Sequence, residues 1–214
     1  MSTVASLKNR VGRMLSDVTL DGYDDSLFYD GVGAALDAIL PWLPKALKVT
    51  ITGDGTSSYP LPNDLYHIEA VSDDATGQLL REAQLVSGHF RGENIAAEND
   101  WLEYPHGHIS FSKNISVGET YTLYYLAHWG KPIDDDDLTD PLEPPSYTHF
   151  ALALYTTAYM IFPSAVSASE VRQFNTRVDS GNPEHNPMQQ SATYLLKLFA
   201  EEMNRHPRHQ KAQR

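Results

Sequence analysis

The chain has 214 residues and no cysteine, and its 16 lysine and arginine side chains face 28 aspartate and glutamate side chains, a formal net charge of −12. The missing cysteines exclude a disulfide framework, a thiolate zinc site and a cysteine nucleophile. The net charge argues against a whole surface that binds nucleic acid, because phosphate binding needs a basic field. The charge is also uneven: residues 1–143 carry 9 basic and 23 acidic side chains, whereas residues 144–214 carry 7 and 5.

The composition is that of a folded chain, since 41% of the residues are apolar. The first residues have neither the apolar core nor the small-residue cleavage site of a secretory signal. The longest apolar stretch, from Phe150 to Phe162, is shorter than the roughly 20 residues that span a bilayer. We therefore expect one domain, or one compact domain with helical appendages, and no association with a membrane.

Two helices are predicted at the start of the chain. Apolar residues from Val4 to Leu15 recur at three- and four-residue steps, which is typical of a helix with one apolar stripe. A second helix begins at Asp24-Asp25, where carboxylates suit the positive end of the helix dipole, and Pro41 ends it. Gly31 and Gly33 within this helix predict the close approach of another helix.

The middle of the chain predicts antiparallel strands. Residues 65–72 alternate, with Leu65 and Val71 on one face and Ile68 on the other. A turn at 73–77 is expected to bring residues 78–82 back as a hairpin, and residues 83–99 read as a short helix plus loop. The last predicted strand, 119–128, has tyrosine and leucine on both faces, which predicts a central position. The other predicted strands are 48–52, 101–104 and 108–112.

Three helices are predicted in the C-terminal part. Pro144-Pro145-Ser146 opens a run from Tyr147 to Phe162 that is apolar almost all round, which predicts burial on more than one side. Pro163 closes the run, and Ser167–Glu170 fits a capping box that opens a second helix, which Gly181 is placed to end. Asn186-Pro187 reads as the cap and first position of the last helix. The apolar stripe of that helix is Met188, Ala192, Leu195, Phe199 and Met203.

His106-Gly-His108 is the candidate metal site, because two histidines at i and i+2 on a strand point to the same face. No further histidine or carboxylate follows at the spacing of a cupin-like site, so a pair of turn-flanking histidines is the favoured interpretation. The acidic run Asp134–Asp137 fails the spacing of an EF-hand calcium loop in either register. Because adjacent like charges repel, the run predicts an extended, exposed acidic loop.

Several of these segments together resemble the head–tail connector (adaptor) proteins of tailed bacteriophages. The step Leu61-Pro62-Asn63-Asp64-Leu65 leads into a strand, as it often does in that family. A Tyr-Tyr strand then runs through an acidic, proline-ended linker into a helix, from Tyr124 to Tyr147. The resemblance covers nearly the whole chain and rests on the order of the helical and strand segments. Residues 83–118 look like extra strands or an insertion.

The resemblance implies an α+β fold: a helical ring body, made of N-terminal and C-terminal helices, with an inserted antiparallel β domain. It implies a non-enzymatic virion protein at the neck, assembled in the host cytoplasm and needing no cofactor. Its partners would be the portal protein, a further neck or tail protein, and copies of itself in a ring, usually twelvefold, through which packaged DNA passes. The implied segments are 1–47, N-terminal helices; 48–130, β-rich; 131–145, acidic linker; 146–204, C-terminal helices; and 205–214, a basic tail.

The resemblance also suggests roles for particular residues. The helix 147–162 would pack within and between subunits, and an acidic wall at the channel would let DNA slide. Three sets follow: portal binding by Arg205, His206, Arg208, His209, Lys211 and Arg214; subunit packing by Phe150, Leu154 and Ile161; and a channel-facing loop of Asp134, Asp135, Asp136 and Asp137.

Two other interpretations stay open at this stage. One is a different neck component or a tail terminator, which a sixfold ring or binding to the tail tube would favour. The other is a metal-dependent hydrolase that uses His106, His108 and a carboxylate such as Glu103. Metal analysis and the melting temperature after chelation would separate the hydrolase from a structural protein.

Overall fold

The structure is a computed structural model that describes residues 3–82, 100–104, 107–176 and 187–206, with the backbone alone at 100, 102–104, 135, 136, 164–176, 187 and 188. It combines α-helices with mainly antiparallel sheets, in agreement with the predicted α+β class. The chain divides into two compact units. The described residues of 3–44 and 129–206 form one unit, called the helical unit here, and those of 45–128 form the other, called the β unit.

The helical unit contains four helices around one core. They are α1 (Val4–Met14), α2 (Asp25–Ile39), α3 (His149–Thr176) and α4 (Pro187–Asn204). α3 packs against each of the other three helices. The predicted start of α2 is confirmed, because the Asp24 carboxylate caps it by accepting a hydrogen bond from the Ser26 N–H at 3.0 Å. The apolar stripe of α4 is confirmed at Ala192, Phe199 and Met203, which are buried, and at Leu195, which packs against the same core.

The expected break after Phe162 is wrong. α3 continues through Pro163 to Thr176, so the two predicted helices are one helix and the Ser167–Glu170 capping box does not start a new one. Proline removes one helical hydrogen bond and favours a kink, yet a helix packed on its neighbours tolerates that cost. Gly181, which was expected to end the second helix, lies outside the described residues.

Gly31 allows α2 and α3 to approach closely, as its position in the sequence predicted. A Cβ at Gly31 would lie 3.2 Å from the Thr156 methyl group and 3.3 Å from the Tyr159 ring, tighter than ordinary van der Waals contact. At Gly33 a Cβ would meet only the Lys131 side chain, at 3.5 Å. The small residue therefore matters for helix packing at position 31 and far less at position 33.

The β unit contains two sheets. Its strands are β1 (Lys45–Thr52), β2 (Ser58–Pro60), β3 (Leu65–Asp73), β4 (Arg81–Glu82), β5 (Asp100–Tyr104), β6 (His108–Phe111) and β7 (Thr120–Ala127). The sheet orders are β1-β7-β3 and β2-β6-β5-β4. The central position predicted for the last strand is confirmed, because β7 pairs with β1 on one side and β3 on the other. β1 begins at Lys45, earlier than the predicted residue 48.

The segment Asp64–Leu65 ties the start of β3 to the end of β7. The Asp64 carbonyl accepts the His128 N–H at 2.8 Å, and the Asp64 carboxylate accepts a hydrogen bond from the Tyr125 hydroxyl at 3.4 Å. Burial and the negative charge of Asp64 both raise the pKa of the Tyr125 hydroxyl, so it stays a neutral donor. The step that begins at Leu61 thus leads into a strand, as predicted.

The simple alternation predicted for residues 65–72 is wrong in detail. Ile68 and Val71 were assigned to opposite faces, yet both are buried in the same apolar core. The pairing of β3 with β7 shifts between Leu65 and His67 and again between Ile68 and Ala70. Each irregularity inserts a residue and turns the following side chains over, which a period of two cannot foresee.

The hairpin predicted after the 73–77 turn forms only at its start. The Asp73 N–H donates to the Gln78 carbonyl at 2.9 Å, and the Leu80 N–H donates to the Val71 carbonyl at 2.8 Å. The next two residues leave this pairing and form β4, which lies parallel to β5. The helix and loop expected at residues 83–99 lie outside the described residues.

Two turns of the β unit hold carboxylates in their charged form. Asp54 accepts hydrogen bonds from the Thr56 hydroxyl, the Thr56 N–H and the Tyr59 hydroxyl, and these lower the pKa of Asp54. The N–H of Ala75 does most to lower the pKa of Asp73. A carboxylate with a depressed folded pKa stabilises the fold above its unfolded pKa of about 3.9, and the contribution is lost as the pH falls through the lower folded value.

We therefore expect the free energy of unfolding of the β unit to fall as the pH drops below about 4. The double variant Asp54→Asn/Asp73→Asn should lose less stability over the same pH range. The measurement is the urea midpoint of the β unit at pH 5 and pH 3, followed by hydrogen exchange in β1 and β7. Asp21→Asn, which removes a carboxylate from the helical unit, is the control. An unchanged pH dependence in the double variant would contradict the assignment.

Candidate assembly surfaces

The start of the basic tail is partly engaged within its own chain. Arg205, the first residue of the predicted basic tail, donates from its Nη1 to the Glu202 carboxylate at 2.7 Å. The His206 ring lies 4.4 Å from the Tyr147 ring, so it packs against the segment before α3. The guanidinium of Arg205 has five N–H donors and stays exposed, which leaves donors for a partner. The other four residues predicted to bind the portal, Arg208, His209, Lys211 and Arg214, lie outside the described residues.

The three residues predicted for subunit packing occupy different environments. Leu154 is 2% exposed and belongs to the helical core, so its own chain covers it and no neighbour can reach it. Ile161 is half-buried. Phe150 was expected to be buried, but it is 43% exposed. Of these three residues, Phe150 is therefore the one that presents the most surface to a second subunit.

The acidic run at Asp134–Asp137 is not the extended loop that was predicted. Residues 135–139 form a 3-10 helix, because the Asp137 carboxylate accepts the Ile133 N–H at 2.6 Å and the Asp137 N–H donates to the Asp134 carbonyl. The segment is also held against α1, since the Val4 N–H donates to the Asp140 carbonyl at 3.1 Å. Backbone hydrogen bonds outweigh the repulsion between neighbouring carboxylates here, because solvent screens exposed charges. Asp134 remains exposed.

Of the candidate histidine pair, the structure describes His108 and the intervening Gly107. Gly107 has a φ of +72° and its carbonyl accepts the Leu61 N–H, so it belongs to the turn between β5 and β6. His108 is exposed and begins β6, opposite Tyr104. Gly107 and His108 thus belong to a turn and the first position of a strand. His106 and the side chain of Glu103 lie outside the described residues, and the described ones contain no cluster of three potential metal ligands.

A cleft that the sequence did not reveal lies on the helical unit beside α2. Its volume is about 540 Å³. Asp37 and Lys131 form an ion pair of 2.6 Å at its wall, and Ile133, 79% exposed, stands at its rim. The cleft is lined by Tyr29, Asp30, Gly33, Ala34, Asp37, Lys131, Pro132, Ile133 and Tyr159. These residues come from three distant parts of the chain, and the only sequence signal was the pair of glycines in α2.

A second surface lies at the start of α3 and in the segment just before it. Tyr147 and Phe150, three residues apart, are 47% and 43% exposed. Large aromatic side chains in such positions are common in protein–protein interfaces, where they bury much area at little entropic cost. The helical unit therefore has an aromatic patch, defined by Tyr147 and Phe150, and a separate cleft.

Comparison with known proteins adds no family to this description, since no protein-family model and no curated protein matches the chain. None of the helices in the described ranges is long and apolar enough to cross a membrane.

Proposed function

We propose that this chain is a structural virion protein of a tailed bacteriophage, a head–tail connector that docks on the portal as a ring, extends the DNA channel and joins head to tail. The observation that carries the proposal is a helical unit with a buried core that still exposes two aromatic side chains, Phe150 at the start of α3 and Tyr147 in the segment before it. A ring subunit buries such exposed aromatic side chains against its neighbours.

The arrangement of the chain supports the proposal. The helical unit is assembled from both ends of the sequence, and the β unit is formed by the residues between them. In a connector of this kind the helical units form the ring body. The β units then face the next neck or tail component.

The distribution of charge supports it as well. The exposed carboxylate of Asp134 and the acidic residues around it suit a wall that repels phosphate, so that DNA slides past without being held. The basic residues from Arg205 onward suit contact with an acidic surface of the portal. A cationic tail attracts such a surface and speeds the encounter.

The test is to mix the purified protein with the portal of the same phage and to image the product by electron microscopy. We expect a twelvefold ring on the portal, about 287 kDa for twelve copies of the 23.9 kDa chain. A chain that neither forms a ring nor binds the portal would overturn the proposal. A sixfold ring on a tail tube would instead assign the chain to the tail terminators.

Removing the tail tests the portal contact separately. Residues 207–214 are deleted and His206 is kept, because its ring packs on Tyr147. We expect an unchanged melting temperature and weaker portal binding, since the contact loses Arg208, Lys211 and Arg214. A control chain in which these three residues are replaced by glutamine separates charge from length. Undiminished binding by both variants would show that the tail does not meet the portal.

A further inference from the structure

Phe150, the part of the aromatic patch that belongs to α3, and the cleft lie on opposite sides of that helix. An α-helix turns 100° per residue, so the nine residues from Phe150 to Tyr159 rotate the side chain by 900°, which is two full turns and a half. Tyr159 lines the cleft, and the Phe150 ring therefore points away from it. Both belong to the same packed helical unit, which fixes their relative positions.

The two surfaces are also complementary in shape and charge. The patch projects aromatic rings, whereas the cleft is a concave space of about 540 Å³ with apolar walls at Tyr159 and Ile133. Asp30 in the cleft is exposed and makes no hydrogen bond or ion pair within the described part of the chain. Arg205 lies at the patch end, since the neighbouring His206 packs on Tyr147, and its guanidinium has donors beyond the one bound to Glu202.

We infer that the cleft of one copy receives the aromatic patch of the next copy. The Phe150 ring enters the cleft, and the Arg205 guanidinium of the same copy binds the Asp30 carboxylate of its neighbour. Because the two surfaces differ and face opposite ways, the contact is head-to-tail, and a head-to-tail contact that closes generates a ring. This inference rests on the proposed function and supplies the contact between its ring subunits.

Cysteine cross-linking tests the contact directly, because the natural chain contains no cysteine. Ala34→Cys places a thiol in the cleft, and Ser146→Cys places one beside Tyr147 without altering the patch. With a short bismaleimide reagent, the double variant should give a ladder of dimers, trimers and higher species, whether or not the portal is bound. Each single variant should give background only, since a head-to-tail contact never brings two equal positions together.

The matched control is the double variant Ser146→Cys/Val117→Cys. Its second thiol lies on the exposed surface of the β unit. A ladder in the control equal to that of the test pair would overturn the inference. So would dimers from either single variant, which would indicate a symmetric contact.

Charge reversal tests the ion pair. Asp30→Arg and Arg205→Asp should each reduce the ladder of the cysteine pair by about tenfold, and the two together should restore most of it. All variants should keep the helical circular dichroism of the parent, because both positions are exposed. Two reversals that fail to rescue each other would overturn the pairing.

The two proposals fail in different ways. Rings on the portal without the cleft-to-patch product would overturn this inference and leave the proposed function in place. A ladder without any binding to the portal would support the inference and contradict the head–tail role.

Discussion

Replacing Leu154 by aspartate should unfold the helical unit. Leu154 is 2% exposed in the core between the helices, so the new carboxylate would lose its hydration without gaining a partner. The lost apolar burial adds to this penalty, and we expect at least about 4 kcal/mol of destabilisation, a large part of the stability of a domain of this size. The measurement is the urea midpoint together with hydrogen exchange in α2 and α3.

Phe150→Asp is the matched variant, since it introduces the same charge only four residues away. The sequence alone predicts damage to folding or to ring assembly for this variant, because the helix is apolar almost all round. The exposed ring predicts instead a chain that folds with nearly the parent stability and fails to assemble. If Phe150→Asp unfolds the helical unit as severely as Leu154→Asp, the exposure of Phe150 is wrong and so is its place in the subunit contact.

Replacing Gly53 by alanine should destabilise the β unit by about 3 kcal/mol, although only one methyl group is added. The new Cβ would overlap the Ser116 carbonyl oxygen and come within 2.6 Å of the Ile115 Cγ2 atom. Neither of these two atoms can move without breaking other contacts. Gly53 itself donates its N–H to Glu119 and accepts the Gly118 N–H, and Ile115 is fully buried. The measurement is the urea midpoint, with exchange of the β1 and β7 amides as the readout for this unit.

Gly130→Ala is the control for this prediction. A Cβ there would meet only the Glu143 carboxylate, at 3.4 Å or more, and that flexible side chain can shift. We expect a change within about 0.5 kcal/mol, as for most exposed substitutions. Equal losses at positions 53 and 130 would show that backbone entropy, and not the contact with residues 115 and 116, explains the effect at Gly53.

Together these variants separate folding from assembly. Leu154→Asp and Gly53→Ala act within single units, whereas Phe150→Asp and the charge reversals at Asp30 and Arg205 leave each unit intact. If the variants of the second group stay folded but form no ring, the contacts between subunits lie on the surface of the helical unit. This distinction matters because unfolding also abolishes assembly and would otherwise imitate a broken interface.

The sequence by itself determined the local structure that depends on neighbouring residues. Periodic apolar positions placed α1 and α2, Asp24 marked the start of α2, and Pro187 opened α4. The predicted strands likewise recur in β1, β3, β5, β6 and β7, because alternating and β-branched residues favour pleated, half-buried backbone. The sequence also determined the distribution of charge: acidic side chains are concentrated in residues 1–143, and the tail from Arg205 onward is basic.

Only the tertiary structure decided which apolar side chains are left uncovered. Phe150 and Leu154 look alike on a helical wheel, and the packing of α1, α2 and α4 around α3 buries one and leaves the other exposed. The cleft exists because a linker residue, Ile133, comes next to α2 and Tyr159, positions that no local pattern connects. Contacts between distant segments depend on how the helices pack, which is a property of the whole chain. The sequence could therefore name Phe150 as a packing residue, but it could not distinguish its exposure from the burial of Leu154 or reveal the cleft.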